Sequence, residues 1–239
     1  MQRHKVAKNR EAKIAEVFSS IQGEGPYLGI RQIFVRFVGC NMRCAYCDTE
    51  TDSSATSITA SHLIKNVMYL EKKHGPHHSV SITGGEPLLH AGFLGYFLPA
   101  LKKQNFKIYL ETNGTLTKEL KGIIHYIDII SMDVKLPSST RGKGLWGSHR
   151  DFLRTAIGKD IFVKTIVTKK TSNSDVRKAR DLVNSIDKNV TFIIQPQGIG
   201  DRGESDIPRK RLLFYSDLAR KTLNDVRIIP QTHKILNLR

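Results

Sequence analysis

The sequence predicts an α/β fold in which parallel strands, joined by helical crossovers, form a partial and open barrel. Short β-rich runs alternate with amphipathic helical stretches about six times along the 239 residues, an order typical of parallel sheets. Polar motifs directly follow several strands, at the edge where parallel α/β folds bind ligands. A closed barrel of this class needs about eight strands, so we expect this one to stay open.

Length and composition favour one domain. We expect a loosely ordered, basic lead-in over residues 1–13 and a single domain over residues 14–239. No apolar run approaches the roughly 20 residues of a membrane span, and no apolar signal segment stands at the N-terminus. We therefore expect a cytoplasmic protein with reduced thiols.

The individual elements follow from apolar periodicity and from turn residues. Predicted strands occupy residues 15–18, 32–38, 79–83, 107–110, 127–132, 161–167, 190–194 and 226–229. Predicted helices occupy residues 61–73, 88–103, 118–125, 151–157, 174–186 and 209–223. Thr59 or Ser61 is the expected cap of the first helix.

The net charge is +16, because 38 Lys and Arg residues face 22 Asp and Glu residues. The basic residues are spread along the chain, and many stand near predicted helix ends, where cations favour the helix dipole. This distribution indicates a solvated basic exterior or an acidic partner rather than a nucleic-acid surface.

All three cysteines, Cys40, Cys44 and Cys47, lie in one stretch with the spacing C-x3-C-x2-C. Thiolates on so short a loop can point at one centre, and they suit zinc or an iron–sulfur cluster. A closed zinc site uses four protein ligands. Three cysteines fit better a four-iron, four-sulfur cluster whose fourth iron stays open to a small molecule. A zinc site completed by Asp48 or His62 is the competing interpretation.

Other polar residues stand close to strand ends. Arg36, in an otherwise apolar strand, needs a carboxylate, either from a ligand or from an internal residue such as Glu24. Gly84 and Gly85 would let a ligand approach the backbone, and Glu86 offers a carboxylate to a cation.

The cysteine spacing followed by Gly84-Gly85-Glu86-Pro87 resembles the radical S-adenosylmethionine superfamily. A narrower resemblance, to the 7-carboxy-7-deazaguanine synthases, covers residues 16–239. Its motifs are Ile21-Gln22-Gly23-Glu24-Gly25, Phe34-Val35-Arg36, Cys47-Asp48-Thr49, Thr83-Gly84-Gly85-Glu86-Pro87, Glu111-Thr112-Asn113-Gly114 and Gln231-Thr232-His233-Lys234.

This resemblance implies a partial (β/α)6 barrel of the radical S-adenosylmethionine type. It also implies the ring contraction of 6-carboxy-5,6,7,8-tetrahydropterin to 7-carboxy-7-deazaguanine with loss of ammonia, in queuosine or archaeosine-type biosynthesis. The reaction would begin with a 5'-deoxyadenosyl radical from reductive cleavage of S-adenosylmethionine. The implied cofactors are a 4Fe-4S cluster, S-adenosylmethionine and Mg²⁺.

The resemblance also implies the site residues, with no catalytic side chain beyond the cluster and S-adenosylmethionine. The cluster ligands would be Cys40, Cys44 and Cys47, and Thr49 would bind Mg²⁺ unless it is an ordinary loop residue. The S-adenosylmethionine contacts would be Tyr46, Cys47, Asp48, Gly85, Asp133, Val134, Lys135, Gln195, Pro196, Gln197 and Gly198. The substrate contacts would be Ile21, Gln22, Gly23, Arg36, Thr83 and, through the terminal carboxylate unless that end frays, Arg239.

Some features depart from this family or lie outside it. Asp133-Val134-Lys135 stands where a Ser-Pro-Lys turn is frequent, and residues 138–149 match nothing assigned, so they form either a lid or a connection. A homodimer and an electron donor such as flavodoxin are further expectations. A glycyl-radical-enzyme activase, which needs no pterin-reading loop, and a non-catalytic zinc-bearing binding module are the alternatives.

Overall fold

A computed structural model describes residues 11–47, 55–198 and 206–236. In these residues nine strands form one open sheet, in the order β3-β1-β2-β4-β5-β6-β7-β8-β9. The strands are β1 (Glu11–Ile21), β2 (Arg31–Phe37), β3 (Thr56–Thr59), β4 (Ser79–Gly84), β5 (Ile108–Thr112), β6 (Ile129–Asp133), β7 (Asp160–Val167), β8 (Thr191–Pro196) and β9 (Val226–Ile228). β2 and β4 to β9 run parallel, whereas β1 is antiparallel to both β2 and β3.

The parallel, helix-connected and open sheet confirms the predicted fold class. Two features of its N-terminal edge were not predicted: the strand β3 and the antiparallel direction of β1. β1 also begins at Glu11, so the boundary expected after residue 13 falls inside this strand. Glu11 and Lys13 are exposed while Ala12 and Ile14 are buried, and on a strand with one solvated face such alternation is compatible with a polar composition.

The longer helices pack against one face of the sheet. The helices are α1 (Ala60–His74), α2 (Ala91–Lys103), α3 (Thr117–Ile123), α4 (Pro137–Thr140), α5 (Trp146–Ala156), α6 (Asn173–Asn184), α7 (Arg209–Arg220) and α8 (Thr232–Ile235). The side chain of Thr59 caps α1 by accepting the His62 N–H at 3.3 Å. A 3₁₀ turn, Pro87–His90, precedes α2. α5 begins five residues before its predicted start of 151, and its first turn packs Trp146 against the core and buries His149.

The two faces of the sheet differ, because successive side chains of a strand point to opposite faces. One face is apolar and packs against the helices, and the other face carries polar residues. Leu110, Ile130 and Val163 join the large core shared with the helices. The other face carries a small apolar cluster of Tyr109, Ile129, Phe162 and Ile193. Polar side chains lie further along the same face, two or four residues toward the carboxyl ends: Glu111, Asp133 and Lys164. No helix among the described residues is long and apolar enough to cross a membrane.

Candidate active site

A cavity of about 930 Å³ opens at the carboxyl ends of the parallel strands. This volume lies near the upper end of the roughly 300–1,000 Å³ typical of small-molecule sites. Most of the predicted site residues line it: Ile21, Gln22, Gly23, Arg36, Cys40, Cys44, Tyr46, Cys47, Thr83, Gly85, Asp133, Lys135 and Gln197. The cavity thus brings together the predicted cluster, cofactor and substrate residues.

The remaining predicted residues are not on the cavity wall or cannot be placed. Val134 packs in the main core, Gln195 is fully buried with neither side-chain amide atom paired in the described structure, and Pro196 and Gly198 do not line the cavity. Asp48, Thr49 and Arg239 lie outside the described residues. The predicted roles of these residues stay predictions.

The three cysteines are free thiols on the rim of this cavity. Burial raises the pKa of the Cys40 and Cys44 thiols, so metal binding must displace their protons. Within residues 11–47, 55–198 and 206–236, no three Cys, His, Asp or Glu side chains are close enough to share one metal ion. In a cubane each thiolate binds a different iron, so three thiols on one rim of the cavity suit such a cluster.

The two glycines at the carboxyl end of β4, Gly84 and Gly85, pack closely against the backbone that leads into the cysteine loop. A Cβ atom on Gly85 would lie 2.1 Å from the carbonyl oxygen of Gly39, and the Glu86 N–H donates to that same oxygen at 2.8 Å. Gly84 has a φ of 135°, which favours glycine. The glycines are therefore needed for the close approach of two backbone segments.

The carboxylate of Glu86 is used inside the protein, and the expectation that it serves a cation stays a prediction. Its buried carboxylate accepts hydrogen bonds from the Leu88 N–H (3.0 Å), the Thr112 hydroxyl (2.9 Å) and the Asn113 N–H (2.7 Å). Burial raises its pKa to about 7 despite these donors. Glu86 therefore joins two motif loops inside the protein.

Arg36 pairs with Glu16 at 2.6 Å, and not with Glu24 as the internal alternative expected. Glu24 instead pairs with Lys164 and accepts the Gln231 amide at 2.9 Å. Burial opposes the charge of Glu24, but Lys164 outweighs it and lowers the pKa of Glu24 to about 2. Both acid–base pairs line the cavity, so the cavity wall is strongly charged.

Glu111 connects several polar side chains on the cavity side of the sheet. One carboxylate oxygen accepts the Gln22 amide at 2.9 Å and the Ser81 hydroxyl at 3.2 Å, and the other accepts the Thr83 hydroxyl at 2.9 Å. The Gln22 amide nitrogen also donates to Gln32 at 3.0 Å. Both protons of that amide are therefore used inside the protein, and Gln22 has only acceptor capacity left for a ligand.

The C-terminal motif packs against the N-terminal glycine-rich loop. The Thr232 N–H donates to the Gly23 carbonyl at 2.9 Å, and a Cβ atom on Gly23 would lie 2.5 Å from the His233 ring. His233 and Lys234 line the cavity beside Gly23. The two motifs, far apart in sequence, therefore form one wall.

A second charged group lies beside the cysteines. Lys135 donates to Asp133 at 2.7 Å and stands 5.3 Å from the centre of the Tyr46 ring. Burial opposes the charge of Lys135, but Asp133 outweighs it and raises the pKa of this lysine well above its ordinary value. The Tyr46 hydroxyl and one Asp133 oxygen are buried and have no partner in the described structure. Unsatisfied polar atoms at this place fit a polar cofactor such as S-adenosylmethionine.

The sequence prediction left out several residues of the cavity wall: Glu16, Glu111, Asn113, Lys164 and His233. A single charged residue inside an apolar strand was the available signal for Lys164. For Glu111 the signal was its place at the end of a strand, within a motif already quoted. Neither signal identifies the residues that pair with Lys164 or Glu111; those contacts follow only from the fold.

Comparisons with known proteins agree with this geometry. The sequence matches the Radical SAM superfamily over residues 34–189. It is 36% identical to a 7-carboxy-7-deazaguanine synthase of Geobacter sulfurreducens, over 94% of this chain and 97% of that protein. It is 37% identical to a 7-carboxy-7-deazaguanine synthase of Methanothermobacter thermautotrophicus, over 95% of this chain and 98% of that protein.

A solved structure, QueE from Escherichia coli, has the same fold with a TM-score of 0.64 and 23% identity, over 98% of this chain and 99% of that one. The family match implies a 4Fe-4S cluster and S-adenosylmethionine as cofactors, and the thiol rim and the unsatisfied polar atoms fit both. The chain belongs to the radical S-adenosylmethionine superfamily and, within it, to the 7-carboxy-7-deazaguanine synthases.

Proposed function

We propose that this chain converts 6-carboxy-5,6,7,8-tetrahydropterin to 7-carboxy-7-deazaguanine with loss of ammonia, in 7-deazapurine biosynthesis. The observation that carries this proposal is the single cavity that unites the cysteine loop with the Gln22 loop and the Gln231 motif. An activase for a glycyl-radical enzyme would not need the last two segments. A zinc-bearing binding module would not belong to this enzyme family, and it would not need the buried charged residues of the cavity.

The bound cluster and S-adenosylmethionine would supply a carbon-centred radical that takes a hydrogen atom from the substrate. The chain itself would hold both molecules in one cavity. Cys40, Cys44 and Cys47, which line the cavity, would bind three irons of the cluster. Tyr46, Asp133 and Lys135, which line the same cavity, would bind S-adenosylmethionine.

The charged wall suits the substrate. A carboxylate on the pterin is a ligand for Arg36, whose guanidinium already touches Glu16 and lines the cavity. The 2-amino and ring N–H groups of a pterin are donors, and the carboxylates of Glu24 and Glu111 are acceptors on the same wall. Gln22 and Thr83 would keep Glu111 oriented rather than read the substrate with their own donors.

Three finer features belong to this proposal. Mg²⁺, held through Thr49, would complete the site, and turnover in metal-free buffer with and without Mg²⁺ tests this. We also infer a homodimer in the cytoplasm, which analytical ultracentrifugation and cell fractionation check. An acidic electron-transfer protein would deliver the reducing electron.

Anaerobic turnover tests the function. Cluster-loaded enzyme is incubated with dithionite, S-adenosylmethionine and 6-carboxy-5,6,7,8-tetrahydropterin, and the products are identified by mass spectrometry together with released ammonia. We expect 7-carboxy-7-deazaguanine and equimolar ammonia. Formation of 5'-deoxyadenosine without any deazapurine would contradict the proposed substrate.

A further inference from the structure

We propose that His149 is a positioning residue for the cluster, because it holds Asn113 where the side-chain amide of that residue donates a hydrogen bond to the sulfur of Cys40. Such a bond raises the reduction potential of the cluster, since it stabilises the additional negative charge of the reduced state. The inference depends on the cluster that the family match implies. It does not depend on which substrate the chain converts.

His149 ends the segment 138–149, which matches no family motif. Its side chain is fully buried in the first turn of α5. The ring nitrogen Nε2 lies 3.1 Å from the carbonyl oxygen of Asn113 and 3.5 Å from the backbone nitrogen of Lys135. One nitrogen cannot both donate to the carbonyl and accept from the N–H, and the shorter distance favours donation to Asn113.

The ring of His149 is neutral. Burial lowers its pKa to about 4, so one nitrogen carries a proton at ordinary pH, and the contact with Asn113 places that proton on Nε2. The other nitrogen, Nδ1, is buried and has no partner in the described structure. An apolar side chain would leave no such unpaired atom, so the Nε2–H bond is what a histidine contributes at this position.

Asn113 is fixed both at its backbone and at its side chain. Its N–H donates to the buried carboxylate of Glu86 at 2.7 Å, while its carbonyl accepts from His149. Its amide oxygen accepts the N–H of Thr115 at 3.2 Å and the hydroxyl of the same residue at 2.6 Å. These donors fix which end of the amide is oxygen, so the amide nitrogen faces the cysteine loop.

The amide nitrogen of Asn113 has two acceptors in that loop. It lies 2.8 Å from the side-chain oxygen of Asn41 and 3.9 Å from the sulfur of Cys40. The Met42 N–H also donates to this sulfur, at 3.4 Å. When the cluster is bound the thiol becomes a thiolate, and a charged acceptor makes such bonds shorter and stronger. Of these two donors, the Asn113 amide is the one that a substitution removes.

The test measures the reduction potential of the cluster in four variants. H149N and H149Q both replace the ring with an amide, but only the longer glutamine places an N–H where Nε2 stands. N113A removes the donor to sulfur directly, so the proposal stays testable if H149N does not load its cluster. The control H125N makes the first exchange at an exposed histidine.

Each cluster-loaded protein is titrated anaerobically with dithionite and redox mediators, without substrate or S-adenosylmethionine. Electron paramagnetic resonance quantifies the reduced cluster at each potential. Iron and sulfide analysis and circular dichroism select the variants that are loaded and folded. Because no substrate is present, a failure of the proposed reaction does not affect this measurement.

We expect the ratio of reduced to oxidised cluster at a fixed potential to fall about tenfold in N113A and H149N, which corresponds to about 59 mV for one electron. H149Q should restore this ratio to within about twofold of native, and H125N should equal native. A native ratio in N113A would overturn the role of the amide. A native ratio in H149N, or a ratio in H149Q as low as in H149N, would overturn the positioning role of His149.

Discussion

Replacing Glu111 with glutamine tests whether this carboxylate organises the substrate wall. The variant keeps the size of the side chain but removes the charge that accepts hydrogen bonds from Gln22, Ser81 and Thr83. The new amide group also turns one acceptor into a donor. Gln22 cannot reverse its own amide at no cost, because its oxygen accepts the Glu24 N–H at 3.0 Å.

The size of the effect follows from these contacts. Hydrogen bonds to charged groups contribute about 1.5–3 kcal/mol and neutral ones about 0.5–1.5 kcal/mol. Neutralising Glu111 therefore loses about 1 kcal/mol in each of its three bonds. About half of this total should appear as weaker substrate binding, because the same bonds fix Gln22 and Thr83. We expect the Kd of the substrate to rise about tenfold, or about 1.4 kcal/mol.

Calorimetry under anaerobic conditions measures this Kd on cluster-loaded protein with S-adenosylmethionine present. The matched control is E119Q, on α3, where Glu119 forms no ion pair among the described residues. Its substrate affinity and iron content should equal those of the native protein. An E111Q protein that binds substrate within about twofold of native, a difference of about 0.4 kcal/mol, would refute the organising role of Glu111.

Four further predictions concern the other contacts of the site. K164M should lower the free energy of unfolding by about 3–5 kcal/mol by leaving Glu24 buried without its cation, and E24Q/K164M should recover much of this loss in denaturant titrations. Glu24 has its pKa lowered from 4.5 to about 2, so its stabilisation is complete above about pH 4.5 and disappears as the pH falls toward 2; E24Q should flatten that part of the acid unfolding curve. G85A should reduce the iron content because its methyl group meets the Gly39 carbonyl, whereas G95A, with open space around it on α2, should load normally and be equally or more stable. C44A should lack the brown chromophore and form no 5'-deoxyadenosine, and turnover by this variant would show that Cys44 is not a cluster ligand.

The sequence predicted the parallel part of the fold because its strands are short, apolar runs between amphipathic helices. β3 was missed because Thr56-Ser57-Ile58-Thr59 is short and polar and becomes a strand only through pairing with β1. The first residues of β1 were missed for the same reason. Edge strands with a solvated face carry little apolar signal.

The site was predictable where motifs stand close in sequence, and less so where contacts join distant residues. The cysteine loop and Gly85 follow from local spacing. The partners of Arg36 and Glu24 do not, because several oppositely charged residues elsewhere in the chain could pair with each of them. Only the fold places Glu16 opposite Arg36, through antiparallel pairing of β1 and β2, and brings Lys164 to Glu24.

The central claim is that three cysteines hold a four-iron cluster with one iron open to S-adenosylmethionine. Mössbauer spectroscopy of the ⁵⁷Fe-loaded protein, with and without S-adenosylmethionine, measures this directly. We predict four irons and four sulfides per chain, with one iron site changing its spectrum when the cofactor is added. A single zinc without sulfide would contradict this claim. Four irons whose Mössbauer spectra all stay unchanged when S-adenosylmethionine is added would contradict it as well.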